Sequence, residues 1–206
     1  MKIGVLGTGM VGNAIASKLV ALGHNVMMGS RTTDNASATT WVKTAGAHGT
    51  VGTFADAAAF GDLVFNCTQG ASSMAALRAA GAANLEGKIV VDVANVLSPE
   101  ASGSESLGEQ IQTTFPRAKV VKTLNTVNSE LMVNPSKLPG SHTLFVSGND
   151  AGAKTMVGEL LQTFGWTDVM DLGDITTARA TEGYLRLWLS MWQRLGTLTF
   201  NIKVVR

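Results

Sequence analysis

The chain has 206 residues, of which 45% are hydrophobic and 15% charged, and its formal net charge is +1 at pH 7. This length is enough for one full core, and the near-neutral charge offers no basic surface to nucleic acid or to an anionic membrane. The single cysteine, Cys67, excludes an internal disulfide and a multi-cysteine metal site. A single cysteine fits a reducing cytosol, and no apolar run is long enough to span a bilayer, so we expect a soluble, cytoplasmic protein.

The first 31 residues predict a strand, a glycine turn, a helix and a second strand. After an apolar strand, Gly7, Gly9 and Gly12 fill the pattern G-x-G-x-x-G. Gly7 permits a tight turn, Gly9 lets the backbone approach a pyrophosphate, and Gly12 lets the helix pack closely on the strand. Because the following helix points its free N–H groups at the turn, the unit predicts dinucleotide binding, with a purely steric glycine turn as the alternative.

The end of the second strand predicts which dinucleotide binds. NAD sites usually carry Asp or Glu at this place to bond the ribose hydroxyls, but this chain has Ser30, Arg31 and Thr32. A guanidinium between two hydroxyls suits the 2′-phosphate of NADP(H), which a carboxylate would repel. We therefore predict NADP(H) rather than NAD(H), and the alternative is that Arg31 is a solvated surface residue.

Later strands also end in short polar segments. The fourth strand leads into Thr68–Gln69 and the fifth into Ala94–Asn95, and a sixth strand is followed by Asn125–Thr126. The carboxyl ends of parallel strands share the ligand-binding edge of a doubly wound sheet, so we expect the first two segments there. The order of elements predicts an α/β fold: a Rossmann-type doubly wound, mostly parallel sheet with a small C-terminal helical portion.

The last part of the chain predicts an added portion and a dimer. We expect residues 1–148 to form the NADP-binding domain and residues 149–206 to pack on it. A closing helix from Thr176 to Lys203 would carry an apolar arc wider than one sheet face can cover. A homodimer through this helix is one explanation, and burial within its own subunit is the other. The polar loop Pro99–Gly103 is either a lid or an idle connection.

The order of motifs resembles a known family. GxGxxG, GSR at 29–31, DVAN at 92–95, VVKTLNTVN at 120–128 and a closing helix are similar to the NADPH-dependent coenzyme F420 reductases and to the cytosolic domain of the STEAP metalloreductases. The resemblance implies a Rossmann domain with a small C-terminal portion that helps to form a substrate cleft. It also implies hydride transfer between nicotinamide C4 and a flavin-like or deazaflavin ring.

The resemblance also implies a role for each motif residue. Thr8, Met10 and Val11 would follow the pyrophosphate, Ser30, Arg31 and Thr32 the 2′-phosphate, and Thr68 and Gln69 the ribose, with Ala94, Asn95, Asn125 and Thr126 near the nicotinamide. The archaeal deazaflavin reductases carry His before the Thr of the KTLNTVN-like segment, whereas this chain carries Asn125. Coenzyme F420, FMN and FAD therefore all stay open as hydride acceptors.

Direct hydride transfer between two heterocycles needs little acid or base from the protein. The sequence agrees, since no Ser-His-Asp order, no HExxH and no paired-carboxylate site stands out, and we predict no catalytic side chain and no metal ligand. The expected partner is a small redox substrate. Two alternatives remain: an NADPH-sensing regulatory protein without turnover, and an imine- or hydroxyacid-type reductase, a class that generally appends a larger helical domain.

Overall fold

The computed structural model describes residues 1–96 and 105–206. Within these ranges one eight-stranded sheet has the strand order β3-β2-β1-β4-β5-β6-β7-β8. The strands are β1 (Lys2–Leu6), β2 (Asn25–Ser30), β3 (Gly49–Thr53), β4 (Leu63–Asn66), β5 (Ile89–Asp92), β6 (Lys119–Thr123), β7 (Leu144–Ser147) and β8 (Val169–Asp171). Neighbouring strands pair in parallel except β6 with β7. The predicted Rossmann-type sheet is confirmed, and the loop Pro99–Gly103 lies outside the described residues.

Helices connect these strands and cover both faces of the sheet. They are α1 (Met10–Ala21), α2 (Ala36–Ala45), α3 (Phe54–Phe60), α4 (Gly70–Ala80), α5 (Ala82–Leu85), α6 (Leu107–Thr114), α7 (Ser129–Val133), α8 (Ala151–Phe164) and α9 (Ala178–Leu195). Side chains cap the N-termini of α2, α3, α6, α7 and α8, namely Asn35, Thr53, Ser106, Asn128 and Asp150. Each cap accepts a hydrogen bond from an N–H group that has no partner within the helix.

The sheet is buried on both faces. Strands β4 and β5 are buried along their whole length, and two clusters of apolar side chains form the core. Continuous apolar strands of this kind are typical of a parallel sheet between two layers of helices. The strand order reverses between β1 and β4, and a ligand crevice is expected beyond the carboxyl ends of the strands at that point.

The C-terminal helix is shorter than predicted. The apolar period suggests one helix from Thr176 to Lys203, but α9 ends at Leu195, where Gly196 takes a left-handed conformation with φ 66°. Glycine adopts this conformation without the steric cost that other residues meet, so it ends the helix. The prediction was wrong because the apolar residues beyond Gly196 belong to an extended tail.

That tail packs back onto the end of the sheet. The buried Phe200 stacks on Trp188 of α9 with ring centroids 5.3 Å apart, and the Thr143 N–H donates to the Ile202 carbonyl at 2.9 Å. Strand β8 pairs with β7 in the same sheet. The chain therefore continues one sheet across residue 148, and the division into 1–148 and 149–206 stays a prediction.

Candidate functional site

The glycine turn lies where the sheet order reverses. Gly7 has φ 112°, and its N–H donates to the Gly29 carbonyl at the end of β2 at 2.9 Å. A Cβ atom on Gly12 would lie only 2.0 Å from the carbonyl oxygen of Gly7, whereas a Cβ atom on Gly9 would meet nothing within 4 Å. The fold itself therefore requires glycine at positions 7 and 12, while the space over Gly9 is open to a ligand.

The N-terminus of α1 faces this open space without an internal partner. Its N-cap is Gly9, no side chain of the described residues caps it, and its first turn contains no acidic residue. Thr8 and Val11 are partly exposed, and Met10 is 83% exposed. Free N–H groups at the positive end of a helix dipole make a ready site for an anion.

The loop after β2 presents a cation beside this turn. Ser30 is buried, and its hydroxyl donates to the Thr32 carbonyl. Arg31 and Thr32 are exposed, and within residues 1–96 and 105–206 Arg31 has no ion pair or hydrogen bond. Asn35 caps the helix that follows, α2. Ser30 thus shapes the loop, whereas the Arg31 guanidinium is accessible to an external anion.

The loop after β4 packs against the end of β5. Helix α4 begins at Gly70, and its N-cap residue Gln69 forms no side-chain capping hydrogen bond within the described residues. The Gly70 N–H donates to the Asn95 carbonyl at 3.2 Å, and a Cβ atom on Gly70 would lie 2.3 Å from that oxygen. The Thr68 hydroxyl bonds the Asn66 side chain at 2.6 Å, while Gln69 is exposed. The segments Thr68–Gln69 and Ala94–Asn95 therefore lie together, as the sequence predicts.

The ends of β5 and β6 are joined by a pair of asparagines. Asn95 Nδ2 donates to the Asn125 carbonyl at 2.6 Å, and Asn125 Nδ2 donates to Asn95 Oδ1 at 3.0 Å. Asn125 Nδ2 also donates to the Thr181 carbonyl of α9 at 3.1 Å. The residue before Asn125, Leu124, has φ 62°. A non-glycine residue in the left-handed region is uncommon, and such residues concentrate at functional sites.

The Thr126 hydroxyl has no partner among the described residues. Thr126 is 3% exposed, and its Oγ1 atom is buried without a hydrogen bond. Leaving a buried hydroxyl unpaired costs about 1–3 kcal/mol, so such an atom needs an explanation. The predicted residues Ala94, Asn95, Asn125 and Thr126 all lie at the adjoining ends of β5 and β6.

A buried cluster of charges lies under these residues, and the sequence analysis did not identify it. Lys122 Nζ lies 2.8 Å from Asp92 Oδ2 and 2.9 Å from Glu182 Oε1, and the Lys122 side chain is 0% exposed. Lys122 and Asp92 are paired residues of β6 and β5. Burial lowers the pKa of Lys122, but the charges and hydrogen bonds of both carboxylates outweigh it, and the pKa stands above its usual range. Lys122 is therefore a fixed cation.

Cys67 lies at the end of β4 and is not a reactive thiol. Its side chain is buried and forms no disulfide, as expected for a small core residue. Burial, with a smaller contribution from the negative charge of Asp92, raises the pKa of the Cys67 thiol far above its usual range. The thiolate, which is the nucleophilic form, is therefore suppressed.

Within residues 1–96 and 105–206, no three His, Cys, Asp or Glu side chains are grouped so that they could hold a metal ion. None of the helices described in that part of the chain combines the length and the apolar character needed to cross a membrane.

Comparison with known proteins gives consistent matches. The family model described as NADP oxidoreductase, coenzyme F420-dependent, matches residues 2–96. A crystal structure from Arthrobacter sp. FB24, of a protein whose assignment as an F420-dependent NADP reductase is provisional, is 50% identical with a TM-score of 0.93, and the match covers 100% of both chains. Metalloreductase STEAP3 of Rattus norvegicus is 29% identical over 199 residues, covering 93% of this chain and 38% of the relative. The chain thus spans about two fifths of that curated relative.

More distant structures share the fold alone. A reductive aminase from Aspergillus terreus in complex with NADPH and ethyl-5-oxohexanoate is 22% identical with a TM-score of 0.69, covering 95% of this chain and 62% of that chain. An imine reductase from Myxococcus stipitatus in complex with NADP+ is 17% identical with a TM-score of 0.70, covering 95% and 63% of the two chains.

Proposed function

Because the chain belongs to the family of coenzyme F420-dependent NADP oxidoreductases, we propose that it transfers a hydride between NADP(H) and a flavin-like or deazaflavin ring. It is an NADP-dependent oxidoreductase, and NADP(H) is its cofactor. The observation that carries the proposal is a helix N-terminus left open beside a cation that has no partner in the described part of the chain. Both features match the charge of a phosphorylated dinucleotide.

The phosphates of the cofactor are assigned to the first two strand ends. The N–H groups of the segment Thr8–Gly12 would bind the pyrophosphate, and the open face of Gly9 allows the close approach that such contacts need. Arg31 and Thr32 would bind the 2′-phosphate, because both are exposed next to that turn. Ser30 would act by holding the loop in shape. These groups fit the phosphates because the first turn of α1 contains no acidic residue and Arg31 forms no ion pair within the described residues.

The rest of the cofactor is assigned to the ends of the next three strands. Thr68 and Gln69 would line the ribose, and Ala94 and Asn95 would lie near the nicotinamide. The Thr126 hydroxyl and the neighbouring Asn125 would complete this end, since an unpaired buried hydroxyl suits a polar group of the ligand. The paired amides of Asn95 and Asn125 hold the two strand ends at a fixed spacing.

When bound, NADPH supplies a hydride from nicotinamide C4, and the chemistry needs no acid or base from the chain. The residues of this site therefore bind, orient and exclude water. Holding the two rings in the correct relative position can by itself remove much of the activation barrier to a reaction between them. This agrees with the raised pKa of Lys122 and the suppressed thiolate of Cys67, two ionisable groups near these strand ends.

The acceptor is assigned by its chemical class. A planar heterocycle that accepts a hydride fits the family, and Asn125 stands where the archaeal deazaflavin reductases carry His, so FMN and FAD stand beside coenzyme F420 as candidates.

We also place this reaction in the cytoplasm, because the one cysteine is free, as in a reducing compartment.

Turnover with a series of acceptors tests the proposal. The absorbance of NADPH is followed while deazaflavin, FMN, FAD and ferric chelates are added in turn. Oxidation of NADPH by a flavin or a deazaflavin supports the proposal. Turnover of ferric chelates alone would instead favour a metalloreductase, and tight NADPH binding without any turnover would favour an NADPH sensor. Turnover of a cyclic imine or a hydroxyacid in a parallel assay would favour an imine- or hydroxyacid-type reductase.

The quaternary structure is proposed to be a homodimer through α9 and the tail. Large apolar side chains are exposed there, including Leu187 at 55%, Trp192 at 42%, Leu195 at 56% and Leu198 at 44%. A monomer rarely leaves so many large apolar side chains in water on one stretch, and a second copy of the same helix would cover them.

The sedimentation of two variants tests the dimer. Wild type at micromolar concentration is expected to sediment as a dimer, and the double variant Leu187→Glu, Leu195→Glu as a monomer, because four buried carboxylates would be unpaired in the dimer. Met156→Glu is the matched control, since Met156 is a 47% exposed apolar residue of a different helix, α8. A monomer mass for the wild type would contradict the dimer.

A further inference from the structure

The charge cluster around Lys122 holds the backbone at the end of β5. Lys122 Nζ donates to the Ala94 carbonyl at 2.6 Å, and the Ala94 N–H donates to Asp92 Oδ1 at 3.3 Å. The next carbonyl, that of Asn95, accepts the Gly70 N–H at 3.2 Å. Both backbone groups of Ala94 are therefore tied to one buried ion pair, directly before the residue assigned to the nicotinamide.

The same cluster reaches the C-terminal helix through Glu182. Glu182 Oε1 receives the Lys122 ammonium at 2.9 Å and the Gly108 N–H at 3.1 Å, and Oε2 receives the Leu107 N–H at 2.9 Å. The carboxylate therefore lies between β6, the N-terminus of α6 and its own helix. The preceding residue of α9, Thr181, accepts a hydrogen bond from Asn125. Two successive residues of α9 thus bond to the ends of the strands.

A cluster of this kind is a poor way to gain stability alone. Removing an ammonium and two carboxylates from water costs several kcal/mol per ion, and apolar replacements of buried ion pairs are often neutral or stabilising. The Asp92 and Lys122 side chains are 0% exposed and that of Glu182 is 14% exposed. What the cluster supplies that apolar residues could not is a set of directed bonds that fixes Ala94 and the ends of β5 and β6.

We infer that Glu182 and Lys122 are positioning residues for hydride transfer, through which α9 sets the place of the nicotinamide-binding backbone at Ala94 and Asn95. Lys122 holds the Ala94 carbonyl, and Glu182 holds Lys122. The inference deepens the proposed function, because it rests on the assignment of the nicotinamide to this end of the site. Neither side chain exchanges a proton or contacts the hydride.

The chain offers a matched control for Glu182. Glu109 is a carboxylate of α6 itself, in the first turn of that helix. It bonds to α9 through Arg179, whose Nε atom lies 2.7 Å from the Glu109 carboxylate. Unlike Glu182, it makes no hydrogen bond to the strand ends within the described residues, since its partners are Ser106 and Arg179. Glu182→Gln removes the charge that holds Lys122, and Glu109→Gln removes the neighbouring link between the same two helices.

The experiment compares wild type, Glu182→Gln, Glu182→Asp and Glu109→Gln. Affinity for 2′,5′-ADP reports the phosphate end, and the fluorescence anisotropy of bound NADPH reports the mobility of the nicotinamide. Turnover uses the acceptor that the wild type accepts. We expect 2′,5′-ADP affinity to stay within about twofold in all variants, because that end lies apart from the cluster. Nicotinamide anisotropy should fall only in the Glu182 variants.

Turnover gives the size of the effect. A displacement of about 1 Å at the reacting centre can cost about 100-fold, so we expect kcat to fall about 10- to 100-fold in Glu182→Gln with KM for NADPH little changed. Glu182→Asp keeps the charge but shortens the reach by one methylene, and it should be impaired in the same direction. If Glu182→Gln does not fold, Glu182→Asp decides the matter.

The outcomes separate the two claims. Equal anisotropy and kcat in the Glu182 variants and in Glu109→Gln would overturn the positioning role. Loss of any link between α6 and α9 would then account for the changes in anisotropy and kcat. If no acceptor is turned over by the wild type, the proposed hydride transfer fails, whereas the anisotropy comparison still decides whether Glu182 fixes the nicotinamide end.

Discussion

Helices α1 and α6 both begin near the ligand edge of the sheet, but their N-termini are treated in opposite ways. At α6, Ser106 and Glu109 form a capping box, and the Glu182 carboxylate accepts two more N–H groups. At α1, the N-cap is Gly9, no side chain in the described part of the chain caps the helix, and its first turn contains no acidic residue. Carboxylates of the chain bind the N–H groups at the N-terminus of α6, whereas the N–H groups at the N-terminus of α1 are free to bind an anionic ligand.

The difference separates structural from functional use of the same physical feature. A helix N-terminus attracts negative charge wherever it lies. When a carboxylate of the chain supplies that charge, the helix end becomes part of the scaffold. Glu182 has this role, because it links the N-terminus of α6 to Lys122. When no such carboxylate is present and an unpaired Arg31 lies close by, the charge has to come from a ligand.

The largest expected effect contrasts two glycines of the same turn. Gly12→Ala places a Cβ atom 2.0 Å from the Gly7 carbonyl oxygen, so the helix has to move, at a cost of about 3 kcal/mol, and the melting temperature should fall by about 6–12 °C. Gly9→Ala meets nothing in the chain within 4 Å. It should leave the melting temperature unchanged but weaken NADP+ binding about 10- to 150-fold, through lost charge-assisted hydrogen bonds.

Thermal unfolding and calorimetry of both variants check this contrast. A Gly9→Ala variant that binds NADP+ as tightly as the wild type would show that the open face of the turn is not where the pyrophosphate lies. A destabilised Gly9→Ala variant would show that the glycine is there for the fold.

A smaller effect is expected at the cation beside the turn. Arg31→Ala removes an exposed guanidinium without a partner among the described residues, so stability should not change, while KM for NADPH should rise about tenfold more than KM for NADH. Arg117→Ala is the control for loss of an exposed arginine, since Arg117 lies before β6, at the amino-terminal ends of the strands, where its ion pair with Glu86 is also exposed. An equal change for both cofactors would remove Arg31 from the 2′-phosphate site.

The smallest expected effect belongs to the satisfied helix end. Hydrogen bonds from Arg179 lower the pKa of Glu109 from 4.5 to about 2. A carboxyl group with a lowered folded-state pKa stabilises the protein above pH 4.5 and loses that contribution as the pH falls towards 2. Glu109→Gln should therefore lower the unfolding free energy by about 1 kcal/mol above pH 4.5, and less near pH 2, without weakening NADP+ binding.

Urea unfolding at several pH values measures this difference. Part of the acid sensitivity should persist in Glu109→Gln, because hydrogen bonds from Lys203 and Thr143 also lower the pKa of Asp168 to about 2. A difference between wild type and Glu109→Gln that grows as the pH falls would have the wrong sign and would contradict the assignment.

The sequence predicts the first half of the site because that information is local. Gly7, Gly9 and Gly12 lie within one strand, turn and helix, and Arg31 follows at the end of the next strand. The end of α9 was missed because the apolar period continues past Gly196, and only the backbone shows that the tail turns away. Local patterns thus predict helices, strands and turns, but they do not predict where an apolar segment packs after a helix has ended.

The Lys122 cluster could not be predicted from the sequence because its members are distant in the chain. Asp92 and Lys122 are neighbours only through the register of β5 and β6, and Glu182 joins them from α9. A polar signal was nevertheless present, since Asp92 ends the apolar strand β5 and Lys122 follows two buried valines in β6. A charged residue inside a buried strand predicts a partner but does not say which one.

Hydrogen exchange with and without NADP+ compares the two helix ends directly. The amides of Met10–Gly12 have no partner within α1, whereas those of Leu107 and Gly108 already bond Glu182. We predict that NADP+ slows exchange at Met10–Gly12 and around Arg31 and leaves Leu107 and Gly108 unchanged. Unchanged exchange at Met10–Gly12 with saturating NADP+ would contradict the claim that this open helix end holds the cofactor.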